Sequence, residues 1–272
     1  MSESSQPRRN SIRLQSADGT HLACDVSGSG PAVVLAHGAG LSGTIWRGLG
    51  YARALVEDFQ VITVDLRGHG RSDRPVRPKD YRMRVLAGDV ASVLDELGIE
   101  TAHYLGYSLG GRIGFELLDS YPHRVLSFTS IGGTYRTPPG SVAEAFFPTF
   151  DRLLETGDMT AFVREWREYR SSDVDAETAA AFINNSAPAL RALLTSLEAE
   201  PAVDEQRLAA VDVPSLLMAG TLDETRWRDA HRAIALMQRA TFYPLNGQNH
   251  ASSLRPVSEI LSRVIPFLHS ID

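Results

Sequence analysis

The stretch Gly106-Tyr107-Ser108-Leu109-Gly110 boxes one serine between two glycines. It follows a short apolar run and opens a helical pattern carried by Ile113, Phe115, Leu117 and Leu118. A serine on a sharp strand-to-helix turn can attack a carbonyl carbon. Small flanking residues allow a strained central residue, and the helix N-terminus offers unpaired N–H groups to a developing oxyanion. The glycine box alone is a weak signal, so the rest of the chain has to supply a base, an acid and a second oxyanion donor.

A serine hydroxyl is a poor nucleophile until a base takes its proton. Among the histidines, the chain order nucleophile, acid, histidine leaves those late in the sequence: His231, His250 and His269. His231 falls inside an amphipathic helical stretch and His269 in the tail of the last one. Both are expected to face solvent. His250 sits in the polar loop Leu245-Asn246-Gly247-Gln248-Asn249-His250, just after a predicted strand, and is the expected base. The acid that orients it should end a strand, and Asp223, three residues beyond Gly220, does so. Its neighbour Glu224 is the fallback. The loop His37-Gly38-Ala39-Gly40 follows another buried run, and the Ala39 amide pairs with the Leu109 amide as the expected oxyanion hole. His37 has no second histidine or carboxylate at ligand spacing, so no metal and no cofactor is expected.

The elements that must position these residues alternate along the chain. Residues 11–26 read as a β-hairpin around Asp18-Gly19, 31–40 as a buried strand run ending in glycines, 59–65 as a second buried strand, and 43–56 and 81–98 as helices. A strand over 102–107 leads into the box, a helix over 109–120 follows, and 124–132 is again a strand. From 134 to 207 helical stretches rich in Phe, Tyr and Trp succeed one another with no strand. Then come a strand at 213–220, a helix from 226, a strand at 240–245 and a last helix over 252–270. Alternating strands and helices imply an α/β fold with a mostly parallel sheet flanked by helices. The expected core is 11–133 with 208–272, the inserted helical cap 134–207, and the first ten residues a disordered tail.

Bulk properties narrow the partners. The net charge of −6 disfavours nucleic acid and anionic membranes, which need clustered positive charge. Cys24 is the single cysteine, so no internal disulfide is expected. No apolar run approaches a membrane span, and the N-terminus lacks the apolar region of a secretion signal, so a cytoplasmic protein is expected. Monomer and homodimer both stay open.

The motifs HGAG (37–40), DLRGHGRSD (65–73), GYSLGG (106–111), GTLDE (220–224) and QNH (248–250) occur together in the order and spacing that resemble the α/β-hydrolase superfamily. The resemblance implies an eight-stranded, mostly parallel sheet with an inserted cap, in which Asp65 and Arg67 hold loops. It implies a cofactor-independent serine hydrolase of a small carboxylic ester or lactone, nearest to small esterases and enol-lactonases. The same triad in this superfamily also serves C–C bond hydrolysis and perhydrolysis, and some members are ligand-binding receptors. A serine at 108 departs from the dehalogenase and epoxide-hydrolase branches, which use aspartate there. The base commonly follows a Gly-His-x-x-His pattern. Here Gln248 and Asn249 precede His250, which leaves its orienting contacts open. Pocket candidates are Tyr107, Phe146, Phe147, Phe150, Phe162, Trp166 and Tyr169, with Arg226 or Arg228 available to a substrate carboxylate.

Overall fold

The computed structural model describes residues 9–170 and 174–271. The expected N-terminal tail lies outside them as far as residue 8, and its last member, Asn10, already belongs to a strand. Strands β1 (Asn10–Gln15) and β2 (His21–Ser27) form the antiparallel hairpin. Strand β3 (Ala32–Ala36) follows. The single helix expected next is two short ones, α1 (Thr44–Gly48) and α2 (Tyr51–Leu55), separated at Gly50, whose φ of 90° no helix continues. Then come β4 (Gln60–Asp65), α3 (Met83–Glu96), β5 (Ala102–Tyr107), α4 (Leu109–Ser120) and β6 (Val125–Ile131).

Among the described residues, six helices lie between β6 and the next strand: α5 (Ser141–Ala145), α6 (Phe150–Thr156), α7 (Met159–Tyr169), α8 (Ala176–Ile183), α9 (Ala187–Ala199) and α10 (Glu205–Ala209). The chain returns to the sheet with β7 (Ser215–Gly220), α11 (Glu224–Leu236), β8 (Ala240–Leu245) and α12 (Val257–His269). The last helix starts at Val257 instead of Ser252, because a residue preceding proline, here Arg255 before Pro256, is driven away from helical geometry.

The eight strands run β1-β2-β4-β3-β5-β6-β7-β8 across one sheet, with all pairs from β4 to β8 parallel. Buried on both faces, β3 sends Val33 and Leu35 into the layer beneath α1, α2 and α12, while Val34 and Ala36 enter the layer beneath α3 and α4. From β3 the chain steps outward to β4, then crosses back to β5 on the other side. Ligands bind at such a reversal, beyond the carboxyl ends of the strands. The loops after β3 and β5 therefore meet at the crevice. At the far side, β8 is an edge strand and carries Pro244 opposite Ala219.

Buried carboxylates and arginines tie down the loops below. Arg67, 1% exposed, donates from Nε and Nη2 to Asp89 on α3 and from Nη1 and Nη2 to Asp18 in the hairpin turn. Asp65 accepts from the Gly43 amide at 2.8 Å and from Arg71 Nε at 2.8 Å.

Candidate active site

Ser108 joins β5 to α4 with φ 52° and ψ −109°, and it is the one non-glycine residue with positive φ among the described residues. Such a conformation costs on the order of 1–3 kcal/mol and persists only where the surroundings impose it. They do so here. The Ser108 amide donates to Ile131 O at 2.9 Å, fixing the turn against β6. A Cβ on Gly110 would lie 2.1 Å from Ala36 O, so only glycine lets α4 start this close to β3.

The Oγ of Ser108 is 2.9 Å from His250 Nε2, and His250 Nδ1 is 2.8 Å from Asp223 Oδ2. With the proton on Nδ1 donated to the carboxylate, Nε2 presents a lone pair to the serine hydroxyl. The three expected residues are thus brought together from the ends of β5, β7 and β8. Asp223 also caps α11, accepting the Arg226 amide on Oδ1. The fallback Glu224 points to solvent, 83% exposed, and pairs with Arg228. His231 and His269 are both exposed and take no part.

Most of the contacts that orient His250 come from outside the departed motif. Tyr107 hydroxyl and Ser253 Oγ both donate to His250 O, at 2.9 and 2.8 Å. The Tyr107 ring stacks on the imidazole at 5.6 Å, and Tyr51 hydroxyl holds Leu254 O at 2.8 Å. Asn249 and Ser252 exchange hydrogen bonds between their side chains and amides, at 3.0 and 2.9 Å. Tyr107 is therefore a positioning residue for this loop, although it also lines the cavity.

Burial lowers the His250 pKa, and the nearby Arg226 cation adds to this, outweighing Asp223, which acts in the opposite direction. Burial would raise the Asp223 pKa, but the His250 charge and hydrogen bond, with Arg226, hold it below the usual carboxylate value.

The loop after β3 is pinned on both sides of Ala39. Gly110 N–H donates to His37 O at 3.1 Å, and Gly40 N–H donates to His69 Nε2 at 3.0 Å. His37 itself bridges two backbones, donating from Nδ1 to Gly38 O and accepting the Leu66 amide on Nε2. The two imidazoles meet edge to face at 5.1 Å. Burial holds both neutral, pushing His69 down to about 3 and lowering His37 as well. Leu109 is the first residue of α4, where a helical amide has no partner within its helix.

A cavity of about 180 Å³ opens over Ser108. The sheet side contributes Ala39, Tyr107, Leu109 and His250, and the inserted helices contribute Phe146, Trp166, Phe182, Leu194 and Leu197. Of the aromatic candidates, Tyr107, Phe146 and Trp166 line it. Tyr169 is 51% exposed, and Phe147 and Phe162 pack on each other at 5.0 Å inside the helical layer, as Phe150 does on Phe146 at 6.4 Å. Phe182, absent from the sequence expectation, fills the space between Trp166, 4.6 Å away, and Gly40, where an added Cβ would come within 2.1 Å of its ring. Its signal was present: one large ring in the alanine-rich run Ala179-Ala180-Ala181-Phe182. Arg226 lines the cavity, whereas Arg228 is turned outward onto Glu224. Arg112, also in the lining, is a charged residue in the otherwise apolar and small run Leu109–Phe115, and that interruption marks it.

A family model described as the alpha/beta hydrolase fold matches residues 31–225. The chain belongs to the α/β-hydrolase family. Among its curated relatives, a protein of Azorhizobium caulinodans named as a carbamate hydrolase, RutD, is 32% identical over 209 residues, covering 73% of this chain and 76% of that one. A fluoroacetate dehalogenase from a Burkholderia species is 36% identical over 118 residues, which is 42% of this chain but only 38% of that protein. Among solved structures, the enol-lactonase from Burkholderia xenovorans LB400 superposes with a TM-score of 0.80 at 23% identity, covering 95% of this chain and 100% of that one. At that identity the likeness of this α/β-hydrolase to the lactonase concerns the fold. No helix among its described residues is long and apolar enough to cross a membrane.

Proposed function

We propose that this α/β-hydrolase cleaves a small carboxylic ester or lactone through an acyl-enzyme on Ser108, without a cofactor. The observation that carries the reading is the continuous hydrogen-bonded chain from Ser108 Oγ through His250 to Asp223, at 2.9 and 2.8 Å. His250 Nε2 takes the hydroxyl proton as Oγ bonds to the substrate carbonyl carbon, and Asp223 stabilises the imidazolium that forms. The Ala39 and Leu109 amides receive the oxyanion. Collapse of the tetrahedral intermediate breaks the bond to the leaving alcohol, which takes the proton from His250. Water then gives a proton to His250 and attacks the acyl carbon, and the acid leaves as Oγ is reprotonated. In a lactone the leaving alcohol stays tethered and the product is a hydroxy acid.

The inserted helices over 134–207 act as the cap in this reading, with Trp166 and Phe182 forming an apolar wall and Tyr107 holding His250. Arg226 sits where it meets a polar group of the substrate near the triad. The relatives named for carbamate hydrolysis and enol-lactone hydrolysis support the same bond chemistry, attack on an acyl carbon. A fluorophosphonate probe should label the protein once per chain, and Ser108→Ala should abolish labelling and lower ester turnover on the order of 10⁴-fold or more. Labelling and turnover that survive Ser108→Ala would refute the proposal.

A further inference from the structure

Four arginines line the cavity over Ser108, and each of them lies near a carboxylate. Arg136 Nε lies 2.8 Å from Asp229 Oδ1, Arg255 Nη2 lies 2.7 Å from Asp175 Oδ2, and Arg226 Nη1 lies 3.6 Å from Asp223 Oδ1. Arg112 differs from the other three in its burial and in the donors it leaves unpartnered. It is 3% exposed and stands one helical turn beyond Ser108 on α4. Its hydrogen bond goes to a neutral acceptor, Pro201 O, 2.9 Å from Nη2. Its Nε and Nη1 are buried without a hydrogen-bond partner. The Glu116 carboxylate is 3.8 Å from Nη1, beyond hydrogen-bond length, while Glu200 and Asp119 act only through space.

A guanidinium held out of water with most of its donors unused is costly, and folded proteins tolerate few such groups without a function. Arg112 stays charged at any pH an enzyme meets, and its planar donors match a carboxylate. Val142, Leu194 and Leu197 line the same cavity and supply apolar wall for a methylene chain.

We infer that Arg112 is a specificity residue: the cavity takes an ester or lactone whose acyl chain ends in a carboxylate, and the Arg112 guanidinium receives that carboxylate. The inference rests on the hydrolase reading above and names its substrate class. The fitting substrate is therefore the half-ester of a short dicarboxylic acid, or the corresponding carboxy-lactone, and glutarate serves as the probe of that class.

The test compares two esters of equal length, monophenyl glutarate and phenyl pentanoate. The wild type should favour the glutarate in kcat/KM by about tenfold or more, and Arg112→Met should collapse that ratio by about 10- to 100-fold, the worth of one charge-assisted hydrogen bond. Preference for the pentanoate by the wild type overturns the inference, as does an unchanged ratio in Arg112→Met. An Arg112 that serves only as a structural partner of Glu116 gives that unchanged ratio together with a lowered Tm. Should Arg112→Met fail to fold, the wild-type ratio still decides, and Arg112→Lys, which keeps charge but loses the planar donors, should lower it. Binding is read separately by thermal shift. Free glutarate should raise the wild-type Tm more than pentanoate does, and equal shifts overturn the inference. A protein that hydrolyses neither ester fails the hydrolase reading, and the thermal shift then decides Arg112 alone.

Discussion

The sheet and the inserted helices build the two halves of the cavity by different means. On the sheet side the groups around the triad are held by hydrogen bonds to backbone: His69 on the Gly40 amide, His37 on the Leu66 amide, Tyr107 on His250 O and Tyr51 on Leu254 O. On the helical side the rings hold one another, Trp166 against Phe182 at 4.6 Å and against Phe146 at 5.1 Å. Hydrogen bonds are directional and fix atoms to fractions of an ångström, as a proton transfer requires. Ring packing fixes volume and tolerates exchange of shape. In the proposed reaction this difference would separate bond chemistry from substrate choice, and changes on the two sides should produce different kinds of loss.

The largest effect should come from the sheet side. Asp223→Asn offers His250 the wrong tautomer, and kcat should fall on the order of 10⁴-fold, while the exposed neighbour change Glu224→Gln should leave it within about twofold. Reversed results would make Glu224 the acid and undo the contrast. On the helical side, Phe182→Leu removes ring volume at the cavity wall. It should change the kcat/KM ratio between small and bulky acyl esters by about tenfold while sparing kcat on the better substrate. A loss in kcat alone, equal for all esters, would show that Phe182 serves the chemistry instead.

Smaller effects sharpen the comparison through pH. The proton-accepting form of His250 is the neutral one, so kcat/KM is lost as pH falls through its pKa. Burial and Arg226 lower that pKa, so activity should extend further into acid than an ordinary histidine allows. Arg226→Gln removes the cation and should move the acid limb toward higher pH. An acid limb that stays in place would mean that burial alone sets it. A separate effect, on stability and not on turnover, belongs to His69, kept neutral down to about 3 in the fold. An unfolded histidine binds a proton near pH 6.5 (roughly), so the unfolded state gains protons first as pH falls. Stability contributed by His69 is full above that value and is lost progressively toward about 3, with a slope of about 1.4 kcal/mol per pH unit. Denaturant unfolding between pH 6.5 and 4.5 should show a shallower slope in His69→Gln than in the wild type.

The same contrast explains what can be read from the chain alone. Ser108, Asp223 and His250 each follow a short apolar run that becomes a strand, so their chain order already places them at one edge of the sheet. Ring packing leaves no such trace. Phe146, Phe147, Phe150 and Phe162 look alike in sequence, yet only the first lines the cavity, because the backbone direction at the end of α5 and the packing of α6 and α7 turn the others away. Phe182 and Arg112 depend on the approach of segments far apart in the chain, such as Phe182 to Gly40 and Arg112 to Pro201. The contacts that hold His250 escaped for the same reason, since Tyr51 and Tyr107 reach its loop from more than a hundred residues away.

Pro244 bears on how the folded chain behaves in company. An edge strand exposes unsatisfied donors and acceptors that can recruit another strand, the common first step toward aggregation. In β8 the ladder toward β7 is complete, and at Pro244 the outer side has one N–H fewer to offer an incoming strand. A neighbouring chain that tried to extend the sheet there would meet a gap in the ladder and a ring in its path. Replacing Pro244 with a β-branched residue would remove that guard, and turbidity of concentrated protein on warming would rise before any change in turnover.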